Sequence, residues 1–262
     1  MIQLLFVLFF LVAILFSMLG LGGGILYVPI LLQSGLSYHQ AAATALSIMI
    51  VLSLTATVVY HLNNLVDWKI VLLLEPFSLT GAFFAGANSY LIPEKILLIL
   101  FSGVMLVSAF FMLKPAPSHK KKPKNSLGFI ESHKMNRGYH INLWLGIPLA
   151  FLTGIFSALL GVGGGFAKVP LMTLIFNVPT KVAVATSSAM IIITATSGFL
   201  GHSYASHINL KLSLILSIAA FLGALIGSRI SIKADKKFLD TTFSIILILV
   251  SIWMILKAVS NH

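Results

Sequence analysis

The sequence predicts an all-α polytopic membrane protein made of two homologous halves. Of the 262 residues, 58% are apolar and 9% are charged, which does not suit a soluble surface. The decapeptide GLGGGILYVP at residues 20–29 recurs at residues 161–170 as GVGGGFAKVP, with six of ten positions identical. Apolar runs of membrane-spanning length surround both copies, so the chain is an internal duplication within a membrane.

Four to five transmembrane segments are predicted in each half. Eight apolar stretches approach the roughly 17–25 residues that span a bilayer as helix. They are Ile2–Leu19, Ala41–Tyr60, Ile70–Ala85, Ile96–Leu113, Leu143–Leu160, Val182–Leu200, Leu212–Gly227 and Phe238–Leu256. The first lacks a basic n-region and a cleavage site, so we expect a retained helix and not a signal peptide.

The duplication predicts three parts in the chain. Residues 1–113 form the first transmembrane repeat, residues 114–140 a flexible basic cytoplasmic linker, and residues 141–262 the second repeat. Beyond the decapeptides, Thr44 aligns with Thr186 and Gly81 with Gly223, so the repeat extends through most of each half.

Each glycine stretch leads into a short apolar segment, Ile25–Leu36 or Phe166–Val178. At about 1.5 Å per residue, neither segment is long enough to cross the hydrocarbon as a helix. Paired, glycine-interrupted short segments in corresponding halves mark the binding sites of many transporters. We therefore expect two half-helices, with a substrate site beside them.

The 17 Lys and Arg residues bear on the topology. If the short segments are re-entrant, each half has four crossings and the basic residues divide ten to seven. If the short segments complete a crossing, the halves are inverted and the division is thirteen to four, which the positive-inside rule favours. We therefore predict inverted halves with the central linker in the cytoplasm. Topology also explains the net charge of +11 without a nucleic-acid partner.

The glycine stretches are the strongest candidates for binding. Consecutive glycines expose backbone N–H groups, and a helix N-terminus adds partial positive charge, so two such ends can converge on one anion. The alternative is close helix packing through glycine. The candidate residues are Gly20, Gly22, Gly23, Gly24, Gly161, Gly163, Gly164 and Gly165.

The helix that follows each short segment has residues with hydroxyl groups near its start. Thr44, Ser47, Thr186 and Ser187 either donate hydrogen bonds to the same anion or bond across a helix interface.

Four ionisable residues are candidates for binding or coupling. Lys168 lies inside the second decapeptide, where it attracts an anion or extends to an interface. Glu75 lies in an apolar run and either couples transport, pairs with a neighbour or lies near the headgroups. His61 and His202, near the ends of corresponding helices, are either structural or proton-relay residues.

Several classes of function are excluded or disfavoured. There is no cysteine, no zinc-protease or serine-nucleophile motif, and no βαβ context for a dinucleotide-binding loop, so we predict no enzyme, metal site or cofactor. No ATP-binding motif is present, so a transporter with this sequence would draw on an ion gradient or on the gradient of its substrate.

The glycine, Val-Pro and Ala-Thr patterns of both halves resemble the sulfite exporter TauE/SafE family, also called the toluene sulfonate uptake permease family. The resemblance covers nearly the whole chain except the linker. It implies a secondary transporter for a small sulfur-containing anion, such as sulfite or an organosulfonate, in the bacterial inner membrane. In the first half Ala45 replaces the serine that the family pattern has there, which removes one expected hydroxyl.

Two other functions stay open at this stage. One is a non-transporting subunit that binds an anionic lipid or a partner helix, and the other is a passive anion channel. The sequence does not decide the substrate, the direction, a coupling proton or sodium ion, or whether the protein is a homodimer.

Overall fold

The computed structural model describes residues 2–93, 95–97, 99–100, 102–103, 106, 110, 128–203 and 210–260. The helices are α1 (Ile2–Leu19), α2 (Gly24–Gln33), α3 (Tyr38–Leu62), α4 (Trp68–Ala87), α5 (Leu143–Leu160), α6 (Gly165–Pro170), α7 (Thr180–Ser203), α8 (Leu210–Lys233) and α9 (Lys236–Ser260). A 3₁₀ turn at Ser89–Leu91 follows α4, and a π-helix at Leu171–Ile175 continues α6.

Within the described part of the chain, six helices are long and apolar enough to cross a membrane: α1, α3, α4, α5, α7 and α8. Helix α9 covers the predicted stretch Phe238–Leu256. The predicted stretch Ile96–Leu113 lies largely outside the described residues. The predicted polytopic, mostly helical membrane architecture is confirmed.

The outer helices direct apolar side chains away from the bundle. On α1, Leu4, Val7, Leu11 and Leu15 are exposed and follow one another at about one-turn spacing. Helix α8 has a similar exposed apolar face between Leu214 and Ile230. Such stripes are unfavourable in water but suit hydrocarbon, so they identify the lipid-facing surface.

Helices α3 and α7 form the centre of the bundle. Helix α3 packs against α7 and α8, and α7 also packs against α4. Two outer pairs, α1 with α8 and α4 with α5, complete the arrangement. The sequence repeat equates α1 with α5, α3 with α7 and α4 with α8. Each of these contacts therefore recurs when the two halves are exchanged.

Glycine sets the spacing of the two outer pairs. A Cβ atom added at Gly81 of α4 would lie 2.5 Å from the carbonyl oxygen of Phe151 in α5. A Cβ added at Gly223 of α8 would lie 2.5 Å from the carbonyl oxygen of Phe10 in α1. Only glycine permits such backbone approach, so the same residue makes the same contact in both halves.

A β-hairpin precedes α5. Strands β1 (Phe129–Lys134) and β2 (Arg137–Asn142) pair antiparallel, and the intervening Met135 and Asn136 both have positive φ. The expected flexible linker is therefore wrong for residues 129–140, where Tyr139 and Ile141 alternate with more exposed residues on β2. This alternation is short and lies among basic residues, which obscured it in the sequence. The rest of the predicted linker, residues 114–127, lies outside the described residues.

Asp67 attaches the hairpin to the helices. Its Oδ1 accepts a hydrogen bond from the N–H of Lys69 at 2.9 Å and so caps α4. Its Oδ2 accepts hydrogen bonds from the hydroxyls of Ser132 at 2.6 Å and Tyr139 at 2.5 Å. Burial and the adjacent Asp67 carboxylate raise the pKa of the Tyr139 phenol above its ordinary value, so the phenol stays protonated and donates.

Replacing Asp67 with alanine should detach the hairpin from α4, because two hydroxyl groups lose their acceptor. Each buried group left unpaired costs about 1–3 kcal/mol. We expect faster amide hydrogen exchange across residues 129–142, measured by mass spectrometry on purified protein. The control is Glu131→Ala, which removes an exposed carboxylate of the same hairpin. Equal exchange in Asp67→Ala and wild type would contradict this role of Asp67.

Candidate functional site

Two equivalent turns interrupt the helices. The first glycine turn (Gly20–Gly24) joins α1 to α2, and the second glycine turn (Gly161–Gly165) joins α5 to α6. Helices α1 and α5 end alike, with the N–H of Leu21 bonded to the carbonyl of Phe16 and that of Val162 to Ser157. Positive φ occurs at Gly20, Gly22 and Gly23, and at Gly161, Gly163 and Gly164. An L side chain rarely adopts this conformation, so both turns require glycine.

The two glycine turns lie directly against each other. Gly24 packs on the backbone of the second turn, where an added Cβ would meet the carbonyl oxygen of Gly161 and would lie 2.5 Å from the Cα of Val162. Gly165 packs in the same way on the carbonyl of Gly20. The structure therefore brings together the two candidate stretches that lie far apart in sequence.

Met49 and Ile191 flank this meeting point. A Cβ added at Gly22 would lie 2.7 Å from the Met49 Cε and 3.2 Å from the Ile191 side chain. A Cβ added at Gly163 would meet the same two side chains. Met49 lies about midway along α3, and Ile191 about midway along α7. The turns therefore lie deep in the bundle, between the central helices.

Backbone N–H groups of the two glycine turns form the next part of the candidate site. Among the described residues, none accepts a hydrogen bond from the N–H groups of residues 22–25 or 163–166. All of these residues are buried. Nearly all buried N–H groups in proteins have a partner, so these are available to water or to a ligand acceptor. Their chemistry favours an anion, because they begin α2 and α6.

The candidate hydroxyls differ in their partners. Ser187 donates to the carbonyl oxygen of Gly20 at 2.9 Å and so holds the first glycine turn. The Thr186 hydroxyl accepts from the N–H of Asp67 at 2.9 Å. Ser47 contacts the Ser213 hydroxyl at 2.6 Å and the Thr44 carbonyl at 2.7 Å, so it joins α3 to α8. Ser187 and Ser47 thus have packing roles in this structure.

Buried hydroxyls without a partner among the described residues occur at the candidate Thr44 and beside both glycine turns. Ser157 lies beside the second turn, where its Cβ is 3.3 Å from the position of a Cβ added at Gly164. Tyr27, which the sequence suggested only as the counterpart of Lys168, lies beside the first turn. A Cβ added at Gly23 would lie 3.1 Å from the Tyr27 hydroxyl, and the ring stacks on Phe9. Its position in the repeat, opposite a lysine, was the available sequence signal.

Lys168 and Glu75 form an ion pair inside the bundle. The Lys168 Nζ lies 3.0 Å from both carboxylate oxygens of Glu75, and both side chains are 1% exposed. The Thr194 hydroxyl contacts both groups. Of the alternatives that the sequence left open, Glu75 pairs with a neighbour, and Lys168 lies inside the bundle and does not extend to its surface.

The two candidate histidines occupy different environments. His61 is exposed, and its Nδ1 accepts a hydrogen bond from the Trp68 indole at 3.1 Å. His202 is buried, and its Nε2 lies 2.9 Å from the carbonyl oxygen of Ala158. A carbonyl only accepts, so Nε2 carries hydrogen and Nδ1 accepts from the Ser89 hydroxyl at 3.2 Å. His202 thus joins α7 to the end of α5, whereas His61 lies away from the glycine turns.

Comparison with known proteins agrees with this arrangement. A sequence model described as "Sulfite exporter TauE/SafE" matches residues 5–254. The chain belongs to the sulfite exporter TauE/SafE family. It is therefore a multi-pass membrane transporter and not an enzyme, and it works on a small substrate in a lipid environment.

Relatives of this TauE/SafE family member occur in bacteria, archaea and plants. The "Probable membrane transporter protein YunE" of Bacillus subtilis is 31% identical, with 93% of each chain covered. The "Probable membrane transporter protein MJ0441" of Methanocaldococcus jannaschii is 26% identical over 94% of this chain and 92% of its own. An Arabidopsis thaliana protein named "Sulfite exporter TauE/SafE family protein 5" is 23% identical over 74% of this chain and 40% of its own. No solved structure matches the chain.

For this TauE/SafE protein, the contact between the glycine turns predicts a steep cost for added methyl groups. Gly24→Ala and Gly165→Ala should each lower the thermal unfolding temperature in detergent, because the methyl group meets backbone that does not move aside. We expect the free energy of unfolding to fall by about 1–3 kcal/mol or more, as it does when a protein core is overpacked. Gly103→Ala is the control, since an added Cβ there meets nothing within 4 Å. Equal unfolding temperatures for all three variants would contradict the contact.

Proposed function

We propose that this protein is a secondary transporter that moves a small sulfur-containing anion, such as sulfite or an organosulfonate, across the bacterial inner membrane. The family supports transport in general, and the names of the family and of the plant relative refer to sulfite export. The chemistry of the glycine turns supports an anion as the cargo. The proposed binding residues remain those predicted from the sequence, with Tyr27 added.

One observation carries the proposal: the two glycine turns contact each other deep in the bundle, and each has buried backbone N–H groups for which no described residue is an acceptor. An oxyanion offers several acceptor oxygens, and charge-assisted bonds to backbone N–H groups are stronger than neutral ones. The unpaired hydroxyls of Thr44 and Tyr27 add two further donors. Because all these groups are buried, the anion would take the place of any water bound to them. It would not compete with bulk water for their hydrogen bonds.

The short helices support the prediction of half-helices. Helix α2 starts beside Met49, midway along α3, and ends at Gln33. Helix α6 and its π-helical extension start beside Ile191, midway along α7, and end at Ile175. We infer that each begins near the membrane midplane with its N-terminus toward the substrate.

Contacts at the helix ends support inverted halves. Tyr38, the first residue of α3, bonds through its hydroxyl to the carbonyl of Leu159 at 3.3 Å. His202, near the end of α7, bonds to the adjacent carbonyl of Ala158. The start of α3 therefore lies beside the end of α7, and these repeat-equivalent helices run in opposite directions. Together with the thirteen-to-four distribution of basic residues, this favours a cytoplasmic linker.

The energy source of transport and the oligomeric state of the protein are also part of the proposal. We infer coupling to an ion gradient, a proton or sodium ion, or to the gradient of the substrate. Glu75, His61 and His202 remain the coupling candidates. The division into repeats 1–113 and 141–262, with the segment 114–140 and most of its hairpin between them, remains a prediction, as does a homodimer.

Flux into proteoliposomes tests the function. Purified protein is reconstituted, and labelled sulfite is added with taurine, sulfoacetate, thiosulfate or sulfate as competitor. We expect saturable uptake that a subset of these anions blocks, and counterflow on preloading. Linear, unsaturable flux would indicate a channel instead. If correctly folded protein moves none of these anions, the proposed substrate class is wrong.

Removing an unpaired hydroxyl separates binding from stability. Thr44→Val and Tyr27→Phe each delete a buried hydroxyl that has no partner among the described residues, so the unfolding temperature should stay equal or rise slightly. Substrate KM should rise by about tenfold, the value of one hydrogen bond of about 1.4 kcal/mol. Thr57→Val is the control, since its hydroxyl is also buried and unpaired but lies farther along α3. A KM unchanged in both test variants would exclude these hydroxyls from the site.

A further inference from the structure

We propose that Glu75 and Lys168 form a proton-operated switch at the anion site. When a proton binds Glu75, the ammonium of Lys168 loses its counter-ion and binds the transported anion instead. This inference rests on the proposed function and specifies its coupling ion, a proton, and the cationic group that meets the substrate.

The geometry places three helices on one charge pair. Glu75 lies on α4, Lys168 on α6 and Thr194 on α7, and the lysine Nζ lies 3.0 Å from each carboxylate oxygen. The Ser78 hydroxyl lies 3.3 Å from that of Thr194. Hydroxyls can donate to an ionised carboxylate or accept from an ammonium, so the cluster can hold either partner after the pair separates.

Lys168 is next to the proposed anion site. It lies in the first turn of α6, and its N–H bonds to the carbonyl of Gly164 at 3.0 Å. Its Cε lies 3.3 Å from the position of a Cβ added at Gly164. The flexible side chain therefore runs beside the second glycine turn, whose N–H groups have no acceptor in the part of the chain that the structure describes. A rotation about the side-chain bonds would bring the ammonium toward an anion at these donors.

The other half of the protein shows that the fold does not need the pair. By the repeat, Lys168 corresponds to Tyr27, Glu75 to Ser217 and Thr194 to Leu52. Those positions carry no charge, yet α8, α2 and α3 occupy the equivalent places. Burying two charges costs several kcal/mol per ion before their attraction is counted, and apolar replacements are often as stable. The pair is therefore better explained by function than by packing.

The charge balance of the cluster sets the stoichiometry. Among the described residues, Asp67, Glu75, Lys168 and His202 are the buried acidic and basic residues. Asp67 faces the hairpin, and His202 contacts Ala158 and Ser89. The neighbouring helices add only hydroxyls near the pair: Ser78 on α4, Thr194 on α7 and Ser157 on α5. The ion pair is neutral, and one proton on Glu75 leaves a net charge of +1.

Each transport step then carries one proton with one negative charge of the anion. On the entry side, a carboxylate oxygen of Glu75 takes the proton, and Lys168 binds the anion. On the exit side, Glu75 loses the proton, regains Lys168 and displaces the anion. Net movement of charge is zero for a monovalent anion.

An infrared titration tests the switch without any substrate. The spectrum of Glu75→Gln is subtracted from that of wild type at a series of pH values in reconstituted protein. We expect the signal of the Glu75 carboxylate to give way to that of a protonated carboxyl as the pH is lowered, while the protein stays folded. A carboxylate that stays ionised until the protein unfolds would overturn the proposal.

A repeat-matched variant tests the coupling. Glu75→Ser combined with Lys168→Tyr gives this side of the site the residues of the other half. We expect this variant to fold, as judged by thermal unfolding, and to lose the stimulation of uptake by an imposed proton gradient, by roughly tenfold. Glu75→Gln alone should bind the anion with an affinity that no longer depends on pH. Ser217→Ala, at the equivalent position of Glu75, is the control.

The outcomes separate the two proposals. Wild-type protein that moves none of the sulfur anions contradicts the substrate class, while the infrared titration still decides the switch. If a proton gradient stimulates saturable uptake by the double variant as strongly as uptake by wild type, the switch is wrong but the proposed transport function stands. Loss of gradient stimulation in the double variant, with folding retained, supports both.

Discussion

The structure depends on backbone-to-backbone contact between the two glycine turns. Gly24 rests on the carbonyl of Gly161, and Gly165 rests on that of Gly20, so each half completes its turn against the other. Any side chain at these positions would push the halves apart. The contact uses carbonyl oxygens, and the N–H groups that follow have no acceptor among the described residues. Packing and the proposed anion binding therefore use different atoms of the same glycines, so the two interpretations of the motif are not exclusive.

A symmetric scaffold supports asymmetric chemistry. The same helix pairs and the same glycine contacts recur in both halves, yet the groups around the turns differ. Ser187 holds the first turn, while its equivalent, Ala45, leaves the second turn without such a bond. Lys168 and Tyr27 likewise offer a charge on one side and a phenol on the other. The single anion that we propose does not require identical groups on its two sides. These positions therefore differ between the halves although the helix packing is the same.

The sequence predicted what repeats and what is apolar. Helix positions, the duplicated turns and the family followed from glycine spacing and hydrophobic runs, which depend on local chain properties. Contacts between secondary-structure elements could not be predicted in this way. Glu75 is far from Lys168 in the sequence, and Asp67 is far from Tyr139, so only tertiary packing brings these pairs together. The hairpin at residues 129–142 was missed for a different reason, since two short strands among lysines resemble a solvated linker.

The pairing of α1 with α8 has a consequence for biosynthesis. Helix α1 ends at Leu19, whereas α8 begins only at Leu210, so α1 is synthesised long before the helix against which it packs. Until then α1 exposes to lipid a face that will later be covered. Because α1 is highly apolar, it is stable in the bilayer before it packs against another helix. Assembly of the protein is thus a late event, after insertion of the separate helices.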